Sequence, residues 1–153
     1  MDEMSCRRLA ADLAEAAKSD DHERVADVVA MLSRPEARAV SAAVVSELAA
    51  LCAGAVAGRC PPEGPEAAYG VLVENDRAVP VEVDALPPGL RAVLRALLAA
   101  LNDDRRSQDV QAGLATRGDP EDVRLVLVQC LVWLAELDDA PGTTLPRLSC
   151  LAG

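Results

Sequence analysis

Apolar and polar positions alternate along the chain with a helical period in two long stretches, and a segment of different character separates them. Between Met4 and Leu51, Leu9, Leu13, Ala16 and Ala17 form one stripe. Val25, Val28, Val29 and Leu32 then follow at i, i+3, i+4, i+7 spacing, and Val40, Val44, Val45, Leu48, Leu51 and Cys52 make a third helix before Gly54 and Gly58 weaken it. A comparable succession runs from Leu86 to Leu137. Leu90, Val93, Leu94, Leu97, Leu98 and Leu101 give the most regular stripe, a weaker helix passes Val110 and Leu114 to end at Gly118, and Val123 to Leu137 is apolar nearly all round. Each stretch has an acidic pair after its first helix, Asp20-Asp21 or Asp103-Asp104, and a proline before its third, Pro35 or Pro120. The expectation is two three-helix units around one core, with Trp133, the largest side chain, near its centre.

Start signals support these boundaries. Asp20 with Glu23, and Ser33 with Glu36, have the spacing of a capping box, in which the first side chain accepts from an orphan N–H and the acid reaches back. Asp119-Pro120-Glu121-Asp122 places an Asp cap, a proline in the first turn and acids at the positive end of the helix dipole.

The middle segment reads differently. After a Pro- and Gly-rich loop from Cys60 to Pro65, Val71 and Val73 precede an Asn75-Asp76 turn signal, and Val79, Val81 and Val83 alternate with Pro80, Glu82 and Asp84. That pattern predicts a β-hairpin with one apolar and one acidic face. Pro80 puts its strand at an edge, and the valines must pack on the helices because a lone hairpin is marginal in water. The predicted architecture is therefore mainly α, one domain over 1–153: a helical unit 4–54, a loop and hairpin 59–85, a helical unit 86–137, and a C-terminal tail 138–153. The tail is expected to be loose, or else to lay Leu145, Leu148 and Leu151 back across an apolar groove.

At 153 residues the chain can bury a core without a covalent or metal staple. Isoleucine and phenylalanine are absent and Lys18 is the one lysine, a bias against A/T-rich codons that points to a high-GC bacterium or its phage. Scarce aromatics and the preference for Arg over Lys then reflect coding pressure, not a ligand. Charge carries more information. Twenty-five acids against 15 bases leave a net of −10, which opposes binding to nucleic acid and to anionic membrane surfaces. Five cysteines without a C-x-x-C pair, and an N-terminus of acids and arginines, read as reduced thiols in a cytoplasmic protein. The apolar run Leu125–Leu134 is interrupted by Gln129 and falls short of the roughly 20 residues a bilayer needs.

Chemistry-bearing motifs are few. His22 is the one histidine, Cys52 and Cys60 have no metal-ligand spacing, and no phosphate-cradling glycine loop occurs. The acid pairs fall at helix ends, where capping accounts for them, and Arg105-Arg106 reads as a solvated helix turn. No catalytic, cofactor or metal site is expected. The exception to this plainness lies between Pro61 and Leu86, where Glu63, Glu66, Glu74, Asp76, Glu82 and Asp84 face one base, Arg77. Tyr69, Glu74, Asp76, Glu82 and Asp84 are the candidate partner-binding residues. The expected function is a non-enzymatic cytoplasmic protein-interaction or regulatory module that binds a protein partner, basic in character, or a second copy as a homodimer. The alternative is an acidic inhibitor, of the antitoxin, immunity or nucleic-acid-mimic kind, that blocks a basic site on an enzyme.

Overall fold

The computed structural model describes residues 1–64, 67–142 and 145–151, and Glu66 of the acidic segment lies outside them. Six helices carry the fold: α1 (Glu3–Lys18), α2 (His22–Leu32), α3 (Arg38–Arg59), α4 (Pro88–Leu101), α5 (Arg105–Ala115) and α6 (Pro120–Asp139). A small antiparallel hairpin lies between α3 and α4, so the chain is mainly α with the expected insertion. Helix α3 packs on α1, α4, α5 and α6, which makes it the strut joining the two helical units. The core gathers Leu13, Leu32, Leu48, Leu127, Trp133 and Leu137, each under 2% exposed. Burying a leucine fully is worth about 1.5–3 kcal/mol, so these positions supply much of the driving force.

Both acidic pairs solve the same backbone problem in the same way. Helix α1 ends as the N–H of Asp20 bonds the carbonyl of Ala17 and that of Asp21 bonds Ala16. Helix α4 ends as Asp103 bonds Ala100 and Asp104 bonds Ala99. In each case the first Asp is left-handed, at φ 57° or 56°, where a glycine more often closes a helix. The second Asp then caps the next helix: Asp21 accepts from Arg24 N and Asp104 from Ser107 N. The cap of α2 is thus Asp21, not Asp20. Ser33 is the C-cap of α2 and not an N-cap, because its hydroxyl turns back to the carbonyl of Val29 while Pro35 opens a 3-10 turn, Pro35–Ala37, ahead of α3. Asp119 caps α6 as expected, and Asp122 reaches back to its N–H to complete a capping box. Gly118 beside it is required by space, since a Cβ there would stand 2.6 Å from the side chain of Asp122.

Helix α3 runs past the expected boundary at 54 to Arg59, with Cys52, Ala53 and Val56 buried along its last turns. Its stretch Pro35–Arg59 is, among the described residues, the one long and apolar enough to cross a membrane by length and composition, and 56% of its most apolar window is buried inside the fold. A carboxylate, Glu47, sits near its middle, 7% exposed and between two arginines, Arg7 and Arg105.

The hairpin is shorter than the valine alternation predicts. Strands β1 (Val73–Glu74) and β2 (Pro80–Val81) pair Val73 with Val81 and Glu74 with Pro80, and Val83–Ala85 forms a 3-10 turn instead of continuing the strand. Asn75 sets the connection: its side-chain oxygen accepts from the N–H groups of Arg77 and Val79, with Ala78 left-handed at φ 59°. Val73 and Val83 rest on the core, whereas Val71 and Val79 are 42% and 51% exposed. The apolar face is therefore only partly packed.

Candidate functional site

Of the candidate partner residues, Tyr69 is half-buried and used internally. Its hydroxyl donates to the carbonyl of Cys60 at 2.6 Å. Its backbone is held on both sides by Asn102, whose oxygen accepts from Tyr69 N at 2.8 Å and whose nitrogen donates to Tyr69 O at 3.2 Å. Glu74, Asp76, Glu82 and Asp84 are exposed, as an acidic face requires. Asp84 is tied to α4, where its carboxylate pairs with Arg95 and its carbonyl accepts from Arg91. Glu74, Asp76 and Glu82 make no ion pair among the described residues. They share one hairpin but do not converge with Tyr69 on a common pocket.

The thiols and the histidine do not assemble either. His22 is exposed at the start of α2, while Cys52 and Cys130 are buried side by side where α3 meets α6. Burial pushes the Cys52 thiol up to about 12 and raises Cys130 well above its ordinary value, so both stay protonated at neutral pH. All five cysteines are free, and no group of three metal-ligating side chains occurs among the described residues.

A polar cluster joins α1, α3 and α5. Glu47 pairs with Arg7 at 3.5 Å and Arg105 at 3.3 Å; Arg105 also grips Asp109, and Asp109 accepts from the Ser46 hydroxyl at 2.6 Å. Buried Gln108 donates to Ser46 as well. Every member is satisfied by another, so the cluster locks the two units in register; a half-satisfied network would instead weaken the core. Arg105 is solvated, as the sequence reads, with its side chain 50% exposed, and it also ties α5 to Glu47 of α3.

The arrangement with the clearest recognition chemistry lies on α6. Residues 148–151 lie against the fold, Ser149 and Leu151 bonding back to successively earlier turns of the helix, so this end of the tail is held. Gln129, only 1% exposed, uses both ends of its amide: its nitrogen donates to the Ser149 carbonyl at 2.8 Å and its oxygen accepts from Leu151 N at 2.6 Å. One helical turn on, the Trp133 indole N–H donates to the same carbonyl at 2.8 Å. A further turn on, the Glu136 carboxylate accepts from Ser149 N at 2.9 Å and from its hydroxyl at 2.7 Å. The spacing of 129, 133 and 136 puts all three side chains on one face of the helix. Leu148 packs against the core, and Leu151 forms part of the wall of an open cavity of about 350 Å³ between α4, α5 and α6, with Pro87, Leu90, Leu114 and Val126. Partial burial and the Glu136 carboxylate push the Cys150 thiol up.

Three polar side chains of one helix face therefore hold the backbone of the segment, and an apolar cavity lies beside its leucine. The signal in the sequence was Gln129 itself, a polar residue inside the longest apolar run of α6. Such a residue is buried only with partners for its amide. The partners lie 20 and 22 positions further on, too distant for periodicity to find. Comparison with known proteins yields no match of significance: no family model, no curated protein and no solved structure.

Proposed function

We propose that the chain is a non-enzymatic protein-interaction module whose α6 face receives an extended peptide segment. The observation that carries this reading is the Gln129 amide, buried and paired with both a C=O and an N–H of the segment. Backbone pairing of this kind supplies affinity in strand-addition recognition, while alternate side chains supply selectivity. Here Leu148 and Leu151 are the apolar anchors, and the Ser149 hydroxyl on Glu136 sets the register. Arg147 is the segment's one charged side chain, which gives it a basic character.

The test adds a labelled heptapeptide with the sequence of residues 145–151 to the full chain carrying Ser149→Pro and Leu151→Asp, which disable its own segment. Fluorescence anisotropy should show saturable binding, weakened about tenfold or more when Gln129→Leu is added, in line with the loss of two hydrogen bonds. Absence of saturable binding by a variant whose circular dichroism is unchanged refutes the reading.

A second reading, the acidic inhibitor, is favoured by one observation, the exposed and unpaired Glu74, Asp76 and Glu82 on the hairpin. A basic enzyme bound there loses on-rate when these acids are reversed and when salt is added.

A further inference from the structure

The occupant of the α6 face is a segment of this chain, and its attachment bears on which molecule supplies it. Helix α6 stops at Asp139, and Ala140 is already extended, at φ −69° and ψ 133°. Pro141 follows, then Gly142 in the left-handed region at φ 61°, so the chain turns away from the helix axis over residues 140–142. Arg59 donates to the Gly142 carbonyl at 2.9 Å and holds this turn to the end of α3. Pro141 and Pro146 bias the residues before them toward extended conformations, which favours an arm pointing away from α6 as much as one folded against it. Short proline-bearing hinges of this sort are where exchange of elements between copies arises.

Among the described residues, the polar contacts of the segment are made to α6: Gln129, Trp133 and Glu136 meet Ser149 and Leu151. None depends on the helix and the segment belonging to one molecule. We infer that the α6 face is an interface between two copies of this chain, each laying residues 145–151 on the Gln129, Trp133 and Glu136 of the other. This rests on the reading of α6 as a segment receptor. The favoured occupant is a second copy because the segment that fits is the chain's own. Its backbone meets the amide and its serine meets Glu136. Exchange re-forms each of these contacts and adds no new buried charge. Within one molecule the tether keeps the segment's effective concentration high, so the monomer is favoured when dilute and the exchanged pair when concentrated.

Complementation between two damaged full-length chains tests this. One chain carries Gln129→Leu and Glu136→Ala and keeps its segment; the other carries Ser149→Pro and Leu151→Asp and keeps its α6 face. By sedimentation velocity each alone should be monomeric at high micromolar concentration, their mixture should form a one-to-one pair, and the unaltered chain should show a dimer fraction that rises with concentration. If the mixture stays monomeric while the segment-disabled chain binds the free heptapeptide, the exchange is refuted, and the face serves a segment of another protein. If that chain binds neither the heptapeptide nor the other copy, the reading of α6 as a receptor fails with it.

Discussion

Gln129→Leu is the sharpest perturbation of the α6 face, because it removes the amide while keeping the volume. Two hydrogen bonds disappear, at 2.8 Å to the Ser149 carbonyl and 2.6 Å to Leu151 N. Each is worth about 0.5–1.5 kcal/mol net, so the segment should lose roughly 1–3 kcal/mol of attachment. The Ser149 carbonyl keeps the Trp133 indole, and the freed Leu151 N–H can reach water at the surface, which keeps the loss out of the upper part of that range. The helix core should tolerate the change, since leucine suits an apolar interior without leaving an unpaired amide there. A loss of about 2 kcal/mol shifts the attached-to-released ratio by roughly 30-fold. Trp133 is the only tryptophan and lies directly under Ser149, so release exposes a unique reporter. Its emission should move to the red, and alkylation of Cys150 should quicken as it leaves the partial burial and the Glu136 carboxylate that raise its thiol, while far-UV circular dichroism stays constant. Unchanged Trp133 emission together with unchanged Cys150 reactivity would refute the claim that the amide holds the segment.

Trp133→Ala should cost about 3–5 kcal/mol in denaturant unfolding, because the ring is 1% exposed at the core and its indole also anchors Ser149. Asp20→Gly should stabilise by about 0.5–1 kcal/mol by relieving a left-handed Asp, whereas Asp21→Ala next to it should cost about 1 kcal/mol through a lost cap, so thermal melts of the two should move in opposite directions. Hydrogen bonds from Ser107 hold the Asp104 carboxyl below its ordinary 3.8. That contribution is present above the ordinary value and is lost as pH falls through the lower folded one, so Asp104→Asn should flatten the acid limb of the melting-temperature profile. Brief iodoacetamide treatment read by mass spectrometry should modify exposed Cys60 first and leave buried Cys52 and Cys130 unmodified, since their thiols stay protonated.

Helices were legible in this sequence wherever an apolar stripe and a start signal agreed. The Asp119 cap and the i, i+3, i+4 stripes of α2 and α4 fall into this group, because both depend on residues within two turns of one another. Legibility failed where a local signal had competitors. Ser33 has the spacing of a cap, but Pro35 opens a 3-10 turn and the serine hydroxyl goes back to Val29. The valines from Val79 to Val83 alternate as a strand does, but the Asn75 turn and the 3-10 turn at Val83–Ala85 leave only two residues per strand to pair. Nothing local could place Arg105 on Glu47, or Gln129 on Ser149, since those partners belong to different helices or to a segment beyond the last helix. The hairpin acids illustrate the opposite limit. Their exposure was readable, yet the sequence offered no means of telling that Asp84 pairs with Arg95 while Glu74, Asp76 and Glu82 stay unpaired.

Two side-chain amides in this fold hold backbone from both sides, and comparing them shows why one is structural and the other a candidate for exchange. Asn102 grips Tyr69 at the end of α4, but Tyr69 is also fixed by its own hydroxyl on Cys60 and by the helices on either side of its loop, α3 and α4. Losing Asn102 therefore leaves that loop with little freedom to go elsewhere. Gln129 grips Ser149 and Leu151, and the remaining polar contacts of that segment, through Trp133 and Glu136, come from the same helix face. Polar attachment through one face can be lost and regained as a unit, the property a recognition site requires. The prediction that separates the two amides is a ratio. Asn102→Ala should lower the melting temperature without changing Trp133 emission in the folded baseline, and Gln129→Leu should change that baseline emission with a smaller effect on melting. If both substitutions shift melting alike and neither alters the folded emission, the two amides are equivalent loop anchors, and the segment on α6 is part of the permanent structure.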